Sequence, residues 1–138
     1  MVPPTDPHWL DFLDFVALRN DRHVYFRGQA SDQFDLIPGI GRADKRPPGG
    51  WTMPAELDLF ARWRREARRF VSGDLSPLGW LSLAQHHGLP TRLLDWTENP
   101  LVAAWFAVCD PGIHAHPSGG PAPGAVHVLL VDPNAVLD

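Results

Sequence analysis

With a single cysteine, Cys109, the chain cannot form an internal disulfide, and this usage suits a reducing compartment. Nor is there a run of about 18 apolar residues, the least that a membrane-spanning helix requires. The first residues, Met1-Val2-Pro3-Pro4-Thr5-Asp6, contain neither a basic cluster nor an apolar stretch of the kind a secretory leader uses. A soluble, cytoplasmic protein without membrane contact is therefore the expectation. Internal repeats, a domain linker and sequential hairpin turns are also missing. Net positive charge is lacking as well: at −4 overall, the chain as a whole has no nucleic-acid footprint. The charge is uneven, however. Between Arg42 and Arg69 there are eight basic and four acidic residues, so this part is basic and the remainder acidic.

What is present is an ordinary globular composition, 44% hydrophobic and 20% charged over 138 residues, which fits one compact domain spanning 1–138. Trp9, Phe12, Leu13 and Val16 recur at helical spacing behind Asp6-Pro7, a cap followed by a first-turn proline, and the helix should fade near Asn20-Asp21. Residues 23–27 alternate as a short strand that Gly28 should end. Residues 31–50 read mostly as loop. Residues 52–71 form the clearest amphipathic helix, with Thr52 as cap and Phe60, Trp63, Ala67, Phe70 and Val71 as core stripe. Ser76-Pro77 starts a further helix with the face Trp80, Leu83, Ala84 and His87, stopped by Gly88 and Pro90. A short extended stretch, 91–96, follows. Asn99-Pro100 opens a helix whose 101–109 segment is apolar on every side, which predicts central burial, with Cys109 as a small buried hydrophobe. Asp110-Pro111-Gly112 should terminate it. After a Pro/Gly-rich loop, the β-branched run 126–131 reads as a strand in the middle of a sheet. The irregular alternation predicts an α+β fold, a small sheet packed with about four helices.

Two stretches place polar groups beside residues that should be buried: Tyr25-Phe26-Arg27-Gly28-Gln29 and Gln85-His86-His87-Gly88-Leu89-Pro90-Thr91-Arg92-Leu93-Leu94-Asp95-Trp96-Thr97. Buried polar groups must bind each other, water or a ligand. These blocks, with Leu36-Ile37-Pro38 and Arg42 between them and Glu98-Asn99-Pro100 to Ala107 after them, resemble the FRG domain, a family known by its aromatic-Arg-Gly motif. The resemblance spans roughly 24–131. His87 departs from it, standing where the family usually has Tyr. A Gln-Gly-Phe-type block that the resemblance implies beyond residue 131 is also missing, which points to a shortened piece or a minimal member. The resemblance carries no established biochemistry with it.

On this basis the expected cleft is lined by Arg27, Gly28, Gln29, Gln85, His86, His87, Thr91, Arg92, Asp95 and Trp96. Arg27 and Arg92 would hold a small anionic or nucleotide-like ligand, and Asp95 would orient an Arg or His. The first reading is a binding or regulatory module without chemistry. The alternative is an ADP-ribosyltransferase-like enzyme with NAD as substrate, suggested by Arg27-Gly28 and Ala103-Ala104-Trp105-Phe106-Ala107, with His87 and Asp95 as catalytic candidates. A third reading, nucleic-acid binding through Arg62, Arg64, Arg65, Arg68 and Arg69 with Arg42, Lys45 and Arg46, is weaker than that of a solvated helix face. No metal site is expected from His86, His87, His114, His116 and His127: the first two point about 100° apart on a helix, and the loop pair has no carboxylate at useful spacing. The same block also has a purely architectural reading, in which Arg92 and Asp95 form an ion pair and Trp96 and Trp105 fill the core.

Overall fold

A computed structural model describes residues 7–18, 23–109 and 123–132. Among them are four α-helices, α1 (Pro7–Leu18), α2 (Met53–Ala67), α3 (Pro77–His86) and α4 (Pro100–Val108), and two strands, β1 (Val24–Gln29) and β2 (Ala125–Leu130). Short 3-10 turns at Gly39–Gly41 and Ala43–Lys45 lie between β1 and α2. The fold is thus α+β, with the small sheet and the helices that the patterning predicts. Backbone contacts divide it into two compact units, Met1–Phe34 with Asp95–Asp138, and Asp35–Leu94. None of the described helices is long and apolar enough to cross a membrane. The expected cap at Asp6, the fade at Asn20-Asp21, the stop at Asp110-Pro111-Gly112 and the histidines at 114 and 116 lie outside the described residues.

In the first unit, β1 and β2 run antiparallel, from Val24 opposite Leu130 to Gln29 opposite Ala125. A single bridge to Thr97 occupies the other edge of β1 at Phe26. Among the described residues the strand bonded on both sides is therefore β1, and β2, expected in the middle, lies at the edge. Strand alternation sends Val24 and Phe26 into the core with Ala103 of α4, while Phe15 and Val16 of α1 and Val126 pack around them. Burying side chains of this size stabilises by about 1.5–3 kcal/mol each. On α1 the inner positions are Trp9, Phe12, Phe15 and Val16, so Phe15 takes the place expected of Leu13, which is exposed.

Gly28 does not end β1 but lies within it, and the reason is steric. A β-carbon there would sit 1.8 Å from the carbonyl oxygen of Ala103 and 2.9 Å from the amide nitrogen of Ala107. Just before β2, a β-carbon at Gly124 would meet the Ala107 carbonyl oxygen at 2.0 Å. Helix α4 thus lies backbone to backbone against the sheet, through two alanines on one side and two glycines on the other. This contact overturns the expected central burial of 101–109. Only Ala103 and Ala107 are buried; Leu101, Val102, Phe106 and Val108 are exposed, Trp105 is 59% exposed, and Cys109 is exposed too. A helix that approaches through its smallest residues turns its large ones away.

In the second unit, α2 packs against α3. Thr52 caps α2 by accepting from the Ala55 amide, and Ser76 caps α3 by accepting from Gly79. The helix ends at Ala67, four residues before the expected 71, and Phe70 beyond it is 87% exposed, so it is no part of the core stripe. Trp80 and Ala84 of α3 are buried as their spacing predicts.

The Gly28 contact yields a test. Gly28→Ala should cost about 3 kcal/mol, the upper end of ordinary overpacking, because the clash is with backbone that cannot rotate away. Gly39→Ala, where the nearest atoms lie 3.7 Å away, should change stability little. Urea denaturation of the two variants reads the difference; equal midpoints would contradict the backbone contact.

Candidate functional site

Each unit contains part of the expected site. In the first, Tyr25, Arg27 and Gln29 alternate to the face of β1 opposite Gly28, and β2 places Leu129, His127 and Ala125 across from them. Arg27 is half-buried, and its Nη1 donates to the backbone carbonyl of Asp95 at 2.8 Å. One residue earlier, the Phe26 amide donates to the Thr97 carbonyl at 2.7 Å, and the Thr97 amide donates back at 2.9 Å. Three hydrogen bonds therefore join the aromatic-Arg-Gly motif to the Asp-Trp-Thr end of the second block. The turn continues into α4: the Thr97 hydroxyl accepts from the Asn99 amide, and Asn99 Oδ1 caps α4 through the Leu101 amide. Gln29 is buried and Trp96 half-buried. Ser31, which the sequence reading passed over, is 1% exposed and accepts from the Gln33 amide.

The second unit contains residues 85–94 of the block. Gly88 adopts φ 86°, the left-handed conformation that closes many helices, and the Gly88 and Leu89 amides bond to the carbonyls of Gln85 and Ala84. The loop then returns to the helix end. The buried Thr91 hydroxyl donates to Gln85 Oε1 and accepts from the Leu93 amide, while the Thr91 carbonyl accepts from Ile40. These bonds explain Gln85, Gly88 and Thr91 as a helix stop pinned by its own loop. His86 and His87 are both exposed, with rings 5.4 Å apart, and His87 also lies 6.4 Å from the Trp63 ring.

Arg92 departs from the architectural reading. It pairs with Glu56, not Asp95: Nε and Nη2 each lie 2.7 Å from a carboxylate oxygen, a two-pronged bond. It sits in irregular backbone, and its side chain is 60% exposed against 12% for Glu56. The bond from Arg92 holds the Glu56 carboxyl below its usual range, partial burial opposes this, and the Arg92 charge adds to the lowering. Arg92 is correspondingly raised, chiefly by the same bond. Glu56 belongs to the first turn of α2. Its place on the inner face was visible in the spacing, since it lies four residues before Phe60 and seven before Trp63.

The basic helix is locally compensated. Arg62 pairs with Asp58, Arg69 with Glu66 at 3.3 Å and Arg68 with Asp74 at 3.6 Å. Arg64 turns inward, its guanidinium carbon 5.3 Å above the Trp80 ring, and Trp63 meets Trp80 edge-on. Among the described residues no three His, Cys, Asp or Glu side chains come together as a metal site would require.

The FRG domain family matches residues 22–115, two-thirds of the chain and both motif blocks. The chain belongs to the FRG domain family. No curated protein and no solved structure matches it. In this FRG domain the family's name-giving triplet has three distinct duties. Phe26 fills the core, Arg27 reaches back to the second block, and Gly28 makes room for α4.

The Glu56–Arg92 pair makes stability depend on pH with a definite sign. A carboxyl whose native-state value is depressed stabilises the fold above its unfolded value, and that contribution is lost as pH falls through the native one. A double-mutant cycle with Glu56→Gln and Arg92→Ala should therefore show favourable coupling at pH 7 that disappears in acid. Coupling unchanged across that range would mean the pair is not formed in solution.

Proposed function

We propose that this FRG domain is a binding or regulatory module for an anionic, nucleotide-like ligand, and that Arg27 makes the anion contact. The observation that carries the reading is the setting of Arg27. It is half-buried on a strand bonded on both sides, and the bond from its Nη1 to the Asp95 carbonyl helps to orient it. A planar, pre-oriented guanidinium suits phosphate oxygens. The charge of Arg92 is met by the Glu56 carboxylate. The reading therefore rests on Arg27. Trp96, next to Asp95 in the chain, is the candidate for stacking on a base.

Inorganic pyrophosphate, ADP and NAD share a diphosphate and differ in what flanks it, so calorimetric titration with all three tests the reading. At least one should bind in the micromolar to millimolar range. Arg27→Ala should weaken it by about tenfold or more, equivalent to about 1.4 kcal/mol, and Arg27→Lys should retain part of the affinity as a point charge. Absence of binding by all three at millimolar concentration overturns the proposal. Turnover of NAD would move the domain to the enzymatic alternative.

A further inference from the structure

Strand β2 is bonded to β1 on one edge, and among the described residues its other edge has no partner strand. Antiparallel pairing alternates: one residue turns its N–H and C=O to the neighbouring strand, and the next turns them away. Two contacts fix the phase here. The Val131 amide donates to the His23 carbonyl, and the Phe26 amide and carbonyl bond to Thr97 rather than to β2. Phe26 stands opposite Val128, so the residues of β2 whose backbone groups point to the open edge are Val126, Val128 and Leu130.

Edge strands are commonly blunted by a lysine, a proline or a bulge, because a row of unpaired backbone groups invites another strand. None of these devices occurs in β2, which reads Ala-Val-His-Val-Leu-Leu and pairs with β1 in unbroken register. Val128, Leu129, Leu130 and Val131 are nevertheless 38–56% exposed. Val128 and Leu130 lie on the sheet face that carries α4, since their register partners Phe26 and Val24 pack with Ala103. With the large residues that α4 turns outward, they expose apolar surface comparable to the roughly 800 Å² that each partner contributes to a stable interface. A patch of that extent marks an interaction site on a globular protein.

We infer that the open edge of β2 is a dimerisation surface, on which β2 of a second copy of this chain pairs antiparallel about a two-fold axis at Val128. The strand is complementary to itself in that register. Val128 meets its own counterpart, Val126 meets Leu130, and His127 meets Leu129, so no two ionisable groups stand directly opposite. The outward backbone groups of Val126, Val128 and Leu130 become the hydrogen-bonded pairs. The product is one four-stranded sheet, β1-β2-β2-β1, with both α4 helices on the same face and the exposed Val128 and Leu130 of each copy covered by the other. An uncharged, apolar edge selects an uncharged, apolar edge, and a two-fold pair covers the same patch on both copies.

The test uses the full 138-residue chain. Light scattering at micromolar concentration and above should give twice the chain mass of 15.3 kDa. Val128→Pro removes an amide that points away from β1 and so leaves the β1–β2 bonds in place, while Val128→Lys sets two like charges at the axis. Each should weaken dimerisation at least tenfold and keep the circular dichroism of the wild type. Hydrogen exchange on the wild type gives a readout that holds even if a variant fails to fold. The Val126, Val128 and Leu130 amides should be protected in the dimer and lose that protection on dilution, whereas those of His127 and Leu129, bonded to β1, should stay slow. A wild type that remains monomeric overturns the inference, and so does a dimer in which those three amides exchange rapidly or which withstands both variants. Protection of the three amides in a monomer would also overturn it, because another segment of the same chain would then occupy the edge.

Discussion

The first unit depends on a contact with no side chains in the way. Helix α4 touches the sheet through Ala103 and Ala107 against Gly28 and Gly124, so closely that a methyl group at either glycine would collide with helix backbone. Close-packed interiors tolerate volume changes poorly, and backbone is the least yielding neighbour a new atom can meet. This one approach fixes which face of α4 is inside and leaves its bulky residues outside. It also gives Phe26 and Val24 a partner in Ala103. Because β1 is then held by α4 below, β2 on one edge and Thr97 on the other, Arg27 is carried on an element with little freedom to move.

The two signature arginines illustrate how similar side chains acquire different chemistry from their partners. Arg92 meets a carboxylate in a two-pronged bond and becomes part of the scaffold that joins α2 to the loop after α3. Arg27 meets a backbone carbonyl, which helps to direct the group. Much of the long second block turns out to be architecture. Gln85, Gly88 and Thr91 close a helix and return the chain along it, and Asp95 and Thr97 present backbone to β1. The polar density that marks the block is mostly self-satisfied hydrogen bonding, as buried polar groups generally require.

Several elements could be read from order alone. The caps Thr52, Ser76 and Asn99, the stop at Gly88 and the buried Trp80 and Ala84 follow from local chemistry, and each lies where its spacing puts it. The strand at Val24 and the aromatic-Arg-Gly motif were equally legible. The burial of α4 was not, because an all-apolar helix contains no internal sign of which side will face inward; the deciding residues are glycines on other elements. The partner of Arg92 was hidden for a related reason. Asp95 is three residues away in the chain and Glu56 is thirty-six, and only folding decides which carboxylate arrives.

His127 belongs to the same class. In sequence it is one histidine in an apolar strand; the register opposite Arg27 turns it into a neighbour of the family's own motif. Local sequence determined the elements of this FRG domain, their caps and their family, because capping, periodicity and turn chemistry act over a few residues. Tertiary structure alone decided which side of α4 is buried, which acid answers Arg92 and which residue stands beside Arg27. Those are contacts between distant segments, and their energies depend on packing and register that no local pattern encodes.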